Sequence, residues 1–470
     1  MLIAILEDIV AAGGRPYEVG GCVRDRLVGA ASKDIDIEVF QMKSDVLVSI
    51  LSKFGKVDCV GVSFGVIKLN TSNGMEYDFT LPRRESKSGF GHRGFIVEVD
   101  HSMTIQEAAA RRDFTINAIY RCPLTDQLHD PFYGVNHLAE KSLHATSDHF
   151  GEDPLRVLRG MQFAARFGLS ATEQTIQMSR SLLPEAKDLA RDRIWHEWEK
   201  WALRGTHPRL GLAFLRETNW LGFFPELEAL VGVQQDPEWH PEGDVWTHSL
   251  LAVDAAAQLR ASLPEEDREL IAFSALLHDV GKYETTVTPE KVAQGADPGL
   301  LWTAYGHDQK GMEPADRFMQ RLTGADGGKV LRKKVARLVG EHMQPFQLSS
   351  GSAQRGAWSR LHRRLNADGV GLVHLASVCR CDACATSADW RTRSLASGEP
   401  NWEHRTSEEV LGWAEEFQNA PPDPKVLGRH LIERGVKPGP KMGELLKKCL
   451  ELQDANPAWG IDELIAGASE

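Results

Sequence analysis

The 470-residue sequence contains no run of about 18 apolar residues, the length that a membrane-crossing helix requires. Its first stretch, MLIAILEDIVAAGGR, is interrupted by Glu7 and Asp8, which argues against a secretory leader. Cysteine is sparse, with seven residues at positions 22, 59, 122, 379, 381, 384 and 449. An odd, scattered set excludes a disulfide framework and suits a reducing compartment, so a cytoplasmic protein is expected. Internal repeats and low-complexity tracts are also missing. Positive charge is in deficit, and a net charge of −12 excludes a protein that coats nucleic acid indiscriminately. One segment departs from that sum. Residues 329 to 395 carry twelve Lys or Arg against four Asp or Glu, including LRKKVAR and RLHRRL. Such a cluster is the footprint expected along a phosphate backbone.

What is present is enough chain for about two to four domains. Residues 1 to 135 mix short β-type runs (DIDIEVF, FGVIKLN, GFIVEVD) with helical segments and Gly-rich turns. From about residue 150 the periodicity is almost wholly helical, as in PLRVLRGMQFAARFG and ELIAFSALLHDVGK. The fold class is therefore α+β: an α/β head with a small mixed sheet, followed by an all-α body. Breaks rich in Pro, Gly or polar residues fall at 231 to 244 and 397 to 406.

The chemistry concentrates in a few motifs. In KDIDIEVF the period-two alternation puts Asp34, Asp36 and Glu38 on one strand face. Two carboxylates about 7 Å apart along a strand repel unless a cation lies between them, and Mg²⁺ is the natural guest. Upstream, VGGCVRD turns at Gly20 and Gly21 and enters a helix whose first amides, with Arg24, can face a triphosphate. Asp113 and Asn117, at i and i+4 in RRDFTINAIY, would be presented together by a helix. Asp153 and Arg156, three apart in GEDPLRVLRG, can share a helix side. A carboxylate only accepts and a guanidinium only donates. The pair suits a base edge with an exocyclic amine beside a ring-nitrogen acceptor, the edge shown by cytosine and adenine.

Taken together, these stretches resemble the class II tRNA nucleotidyltransferase and bacterial poly(A) polymerase family, of the DNA polymerase β superfamily. The resemblance is close over residues 17 to about 230. It implies that Asp34 and Asp36 hold Mg²⁺ for a two-metal phosphoryl transfer. It further implies that Gly20, Gly21, Arg24, Arg111, Arg112, Asp113, Asn117, Asp153, Arg156 and Arg159 contact the nucleotide, with Glu152, Asp153 and Arg156 as an amino-acid template for CTP and ATP. Arg193 and Glu197 match a structural brace of the family. Residues 83 to 100 look like its flexible loop, and Asp78 is a candidate third carboxylate. Gln162 stands where family members usually carry Arg, so that residue's task has moved or weakened.

In the second half His248, His278, Asp279, His307, His342 and Asp382 come in the order and approximate spacing of the HD phosphohydrolase superfamily. Imidazoles and carboxylates converging between helices suit a divalent metal such as Ni²⁺, Mn²⁺ or Mg²⁺. The resemblance implies hydrolysis of phosphomonoesters or 2′,3′-cyclic phosphates by an activated water. Cys379, Cys381 and Cys384 lack a clear fourth ligand and are read as small helix-packing residues rather than a zinc site. The segment VLGRHLIERGVKPGPKMGELLKKCLELQ resembles the tRNA-gripping tail of CCA-adding enzymes, with tight turns allowed at Gly435, Gly439 and Gly443 and Lys437 and Lys441 beside a helix start. Residues 401 to 470 hold eight Lys or Arg against thirteen Asp or Glu, unlike the basic extension of bacterial poly(A) polymerases.

The division expected is 1–138 head, 139–235 neck carrying the base template, 236–398 HD body and 399–470 tail. The function expected is CCA addition to tRNA, by a monomer or homodimer that engages neither DNA nor membrane. The alternatives are a poly(A) polymerase, an enzyme adding only CC or only A, an HD hydrolase with a vestigial head, and a non-catalytic tRNA-binding protein.

Overall fold

The computed structural model describes residues 1–30, 35–60, 66–71, 74–87, 95–324, 327–350, 353–386, 402–419 and 421–469. The chain divides into two compact units, Met1–Phe223 and Phe224–Glu470. Among the described residues no helix is long and apolar enough to cross a membrane.

The first unit is built on β1 (Arg15–Val19), β2 (Asp36–Phe40), β3 (Gly55–Val60), β4 (Val66–Thr71), β5 (Glu76–Thr80), β6 (Arg83–Lys87), β7 (Phe95–Val99), β8 (Tyr120–Arg121) and β9 (Leu128–His129). Seven of them form one mixed sheet in the order β3-β4-β5-β2-β1-β8-β9. Alternation along β2 sends Ile37 and Val39 to the face where Ile67, Leu69 and Phe79 meet Ile5, Leu6 and Ile9 of one helix and Leu47 and Leu51 of another. Burying each of these side chains contributes roughly 1.5–3 kcal/mol. That packing fixes the register, so the polar residues of β2 fall together on the other face. The parallel pairing of β2 with β5 then sets Asp36 directly beside Asp78.

β6 and β7 pair antiparallel, so the segment expected as a flexible loop is bounded by a two-stranded ladder; residues 88 to 94 lie outside the described residues. Beyond the sheet come the helices Leu155–Phe167, Arg191–Arg204 and Pro208–Glu217. The first and third approach closely because Gly160 and Gly211 face them. A Cβ on Gly211 would sit 2.5 Å from the Met161 carbonyl oxygen, and one on Gly160 2.8 Å from the Phe214 ring.

In the second unit the helices Val245–Leu259, Arg268–Leu277, His307–Thr323, Lys329–Glu341 and Leu372–Ala385 carry or border the six HD residues. The tail helices Gly428–Ile432, Pro440–Ala455 and Ile461–Ser469 close over Leu431, Met442, Cys449 and Leu464. Gly435 takes the left-handed conformation at φ 83. Gly443, expected at a turn, lies inside a helix, because Pro440 at the first helical position starts that helix before it.

The basic stretch is knitted into this unit rather than left bare. Arg332 pairs with Asp316, Lys333 and Arg337 with Asp368, Arg355 with Glu416, Arg363 with Asp454 and Arg364 with Glu341. Among the described residues, six of the twelve cations are thus paired, three of them (Arg332, Arg355 and Arg363) with carboxylates from outside the stretch.

Candidate functional sites

The head site begins at the edge of β2. Asp36 is exposed, while Glu38, two residues along, is buried and accepts hydrogen bonds from Arg112 Nη2 at 3.0 Å and the Tyr120 hydroxyl at 2.9 Å. Asp78, in register with Asp36, lies 3.5 Å from Lys68 Nζ. Asp34 lies outside the described residues. An exposed carboxylate paired laterally with a second one is a donor set that suits a hard divalent cation.

Gly20, at φ 76, makes the turn into the helix Gly21–Leu27. A Cβ there would approach Arg112 Nη1 to 3.1 Å. Arg24 does not face outward as its motif suggests. It is buried, donates to Asp25 Oδ1 at 2.7 Å and to the Asn117 side-chain oxygen, and stacks on Phe167 at 4.5 Å. Asn117 Nδ2 in turn donates to Asp113 Oδ1 at 2.9 Å, and Arg159 Nε donates to Asp113 Oδ2 at 2.6 Å. Arg166 closes the chain on Asp25 at 2.7 Å.

The expected contact between Asp113 and Asn117 thus forms, though not on an α-helix. The helix Ile105–Ala110 has ended, and Asp113 takes its own next amide, Phe114 N, at 2.8 Å. Such local side-chain to backbone bonds compete with helix continuation, and only a single 3₁₀ turn, Thr115–Asn117, follows. Burial raises the Asp113 pKa, but the charge of Arg159 and the Asn117 amide outweigh it and bring it down to about 2.

The base-template pair is also differently mounted. The helix starts at Leu155 with Pro154 at its N-cap, so Asp153 stands outside it and accepts Leu155 N at 3.0 Å. Its second oxygen accepts Arg193 Nη2 at 2.7 Å. Arg156 is fixed by two backbone carbonyls, His149 at 2.6 Å and Arg111 at 2.7 Å. Arg111 donates to Glu152 at 2.8 Å. Glu38, Arg83, Arg111, Arg112, Glu152, Asp153 and Arg156 line a cleft of about 400 Å³, within the size range of ligand pockets. Gln162 is buried in the same helix, and its Nε2 has no hydrogen-bond partner among the described residues.

In the second unit all six HD residues converge. His248 Nε2 lies 3.1 Å from His278 Nε2 and 3.0 Å from Asp382 Oδ1. His307 Nε2 lies 3.2 Å from His342 Nε2 and 3.1 Å from Asp279 Oδ1. Asp279 Oδ2 faces Lys282 Nζ at 2.7 Å, and that ammonium also donates to Gln235 at 2.8 Å.

The far side of each ring decides what the near side is. Nδ1 of His278, His307 and His342 meets the carbonyl of Ala275, Ala304 and Val339, respectively, at 2.9, 2.7 and 2.7 Å. Nδ1 of His248 meets Glu242 Oε1 at 2.7 Å. Carbonyls and carboxylates only accept, so each Nδ1 carries the hydrogen, and each neutral Nε2 is a bare acceptor. Two such acceptors cannot face each other at about 3 Å without a proton or a cation between them. The donor set therefore fits a divalent metal.

Without a cation the surrounding carboxylates favour a proton in its place: burial disfavours charge on His248, yet Asp382 and Glu242 hold its pKa up to about 9. Burial likewise raises Asp279, but Lys282 and His278 hold it well below the usual carboxylate range. A cavity of about 540 Å³ opens onto Asp279, His307 and Asp382, with His240, Lys282, Trp302 and Tyr305 also on its wall. Cys379 and Cys381 are buried, burial pushes both thiols up, and no cysteine joins a ligand group among the described residues.

Sequence reasoning missed Glu242, His240, Lys282 and Gln235. Lys282, in the stretch HDVGKY, was findable by its i, i+3 relation to Asp279.

Comparison with known proteins identifies the class of both halves of the chain. Residues 16–144 match the family described as the poly A polymerase head domain, and residues 245–383 match the HD domain. The multifunctional CCA protein of Xylella fastidiosa (strain 9a5c) is 39% identical over 315 residues, 66% of this chain and 70% of that protein. That of Stenotrophomonas maltophilia (strain K279a) is 38% identical over 344 residues, 71% of this chain and 76% of that protein. The solved Thermotoga maritima CCA-adding enzyme, complexed with tRNA, has a TM-score of 0.59 at 18% identity, covering 99% of this chain and 93% of that one. The chain belongs to the family of multifunctional CCA proteins.

Proposed function

We propose that this protein adds CCA to the 3′ end of tRNA, using CTP and ATP, and that its second unit hydrolyses phosphate esters. The observation that carries the first activity is the cleft in which Arg83, Arg111, Arg112 and Arg156 meet Glu152 and Asp153 beside the acidic edge of β2. The guanidiniums of Arg83, Arg111 and Arg112 provide donors for a triphosphate. Asp34 and Asp36 hold Mg²⁺, which when bound supplies charge neutralisation for attack by the primer hydroxyl and departure of pyrophosphate.

Base choice follows from rigidity. Arg156 is anchored through two carbonyls and Asp153 through Arg193 and the Leu155 amide, so neither can swing to accommodate a different edge. Each Asp153 oxygen keeps a further lone pair for an exocyclic amine, and the guanidinium keeps donors for a ring nitrogen. Uracil and guanine would present a carbonyl to the carboxylate and a ring N–H to the guanidinium. Arg24, Asp113, Asn117 and Arg159 form a chain of hydrogen bonds that ties the helix after Gly20 to the helix carrying Arg156.

In the second unit His248, His278, Asp279, His307, His342 and Asp382 would hold a divalent cation such as Ni²⁺ or Mn²⁺, which would supply Lewis-acid activation of a phosphate ester. Lys282 neutralises Asp279 from the cavity side.

The test is incorporation of labelled CTP and ATP into a tRNA lacking its 3′ end, with products resolved at single-nucleotide length. Three additions ending in A are expected. A long A ladder, addition of CC or of A alone, or no extension would each overturn the assignment.

A further inference from the structure

Four histidines of the HD cluster are held in the same tautomer by two different means. Three use a device internal to the chain's local geometry: His278, His307 and His342 each give Nδ1 to the carbonyl three residues earlier. His248 does not. It is the fourth residue of its helix, and the carbonyl three residues earlier, that of Val245, accepts the Ser249 hydroxyl at 2.9 Å. Its Nδ1 goes to Glu242 instead, in the turn ahead of the helix.

That turn is built to hold the carboxylate still. Asp244 caps the helix by accepting Thr247 N at 2.9 Å and ties the turn to Gly232 N at 2.7 Å. Glu242 Oε1 accepts a second imidazole, His240 Nδ1, at 2.8 Å, and the His240 and His248 rings meet edge to face at 5.1 Å. The carboxylate side chain is 2 % exposed, and its Oε2 is buried with no hydrogen-bond partner among the described residues. A buried carboxylate with an unmatched oxygen is costly, and an amide or hydroxyl would fix the same ring more cheaply. What the carboxylate adds is negative charge on the far nitrogen, which makes the imidazole a stronger donor at Nε2.

We propose that Glu242 is the positioning residue of the hydrolytic centre: it holds His248 with Nε2 turned to the cation and thereby sets the affinity of the cluster for it. The proposal rests on the reading of this cluster as a metal centre. Loss of this kind of outer partner lowers affinity by roughly 10–100-fold in metal sites generally. His240, sharing the same oxygen and lining the cavity, is kept in the matching tautomer, with Nε2 left for whatever occupies the cavity.

The test uses the full chain, stripped of metal by chelation and titrated with Ni²⁺ in competition with a chromophoric chelator. The variants are Glu242→Ala, Glu242→Gln and Asp279→Ala. Glu242→Ala should weaken Ni²⁺ binding by roughly 10–100-fold without changing the melting temperature of the metal-free protein or nucleotide incorporation by the first unit. Glu242→Gln should recover part of the loss, because an amide oxygen still accepts one N–H but carries no charge. If Asp279→Ala abolishes binding while both Glu242 variants bind as tightly as the parent, the positioning role is wrong and the metal centre stands. If the parent binds no Ni²⁺, or Asp279→Ala binds it equally well, the metal-centre reading itself fails. Should Glu242→Ala destabilise the metal-free protein, the isosteric Gln variant decides alone: unchanged affinity overturns the proposal, and weakened affinity at unchanged stability supports it.

Discussion

Replacing Asp113 by Asn isolates the electrostatic part of the hydrogen-bond chain that it forms with Arg24, Asn117 and Arg159. Asp113 is 7% exposed and receives Phe114 N, Asn117 Nδ2 and Arg159 Nε. Burial alone would raise its pKa; the Arg159 charge and the Asn117 amide bring it down to about 2 instead. Against the ordinary aspartate value near 3.9, that depression is a stabilisation of about 2 kcal/mol. The Arg159 side chain is 35% exposed, which argues for this figure rather than the roughly 3–5 kcal/mol of a fully buried pair. The sign is set by the direction of the shift. A carboxylate whose folded pKa lies below its unfolded value contributes fully above about pH 4 and loses that contribution as pH falls towards about 2. A chain of two units does not unfold as one cooperative step, so a local readout is needed. Hydrogen exchange followed on peptides spanning residues 111–121 supplies it. At pH 7 the Asn variant should exchange there roughly 30-fold faster than the parent if opening is local. The gap should shrink as pH is lowered from about 4 towards 3. Equal exchange of parent and variant at pH 7, or a gap that widens on acidification, would refute the argument.

Three further outcomes are expected. Asp36→Ala abolishes nucleotide incorporation and leaves ester hydrolysis intact; loss of both in a folded variant would contradict two independent sites. Arg156→Ala removes the donor half of the base template, so discrimination of CTP and ATP against UTP and GTP, measured as ratios of kcat/KM, falls by at least about tenfold, one lost charged hydrogen bond. An unchanged ratio would remove the template role. Asp279→Ala eliminates hydrolysis without altering CCA synthesis, and chelation of the parent also eliminates hydrolysis until Ni²⁺ or Mn²⁺ is returned; hydrolysis that survives chelation would place the chemistry elsewhere.

How far the sequence foretells these sites depends on where each residue's partner comes from. The strand alternation in DIDIEVF and the helical periodicity after residue 150 are local properties, and both appear in the fold as read. The six HD residues were legible because their order and approximate spacing resemble those of the HD superfamily. Charge was misleading for the opposite reason. Twelve cations in one stretch look like a phosphate footprint, yet their carboxylates arrive from as far as Asp454, 91 residues beyond Arg363. Arg24 shows the same dependence: its motif points it at a ligand, and it packs against Phe163 and Phe167 and donates to Asn117, 93 residues away.

The four clustered histidines show where the boundary lies. A ligand's near nitrogen is defined by what holds the far one. For three of them the answer is a carbonyl three residues back, within the same local turn of backbone. For His248 the carbonyl three residues back, that of Val245, takes the Ser249 hydroxyl, and a carboxylate from the preceding turn holds the ring instead. A turn has no periodicity from which to read that contact. The one histidine whose support is not written into local geometry is also the one supported by a full charge, and so the one whose support a single substitution can weaken without disturbing a helix.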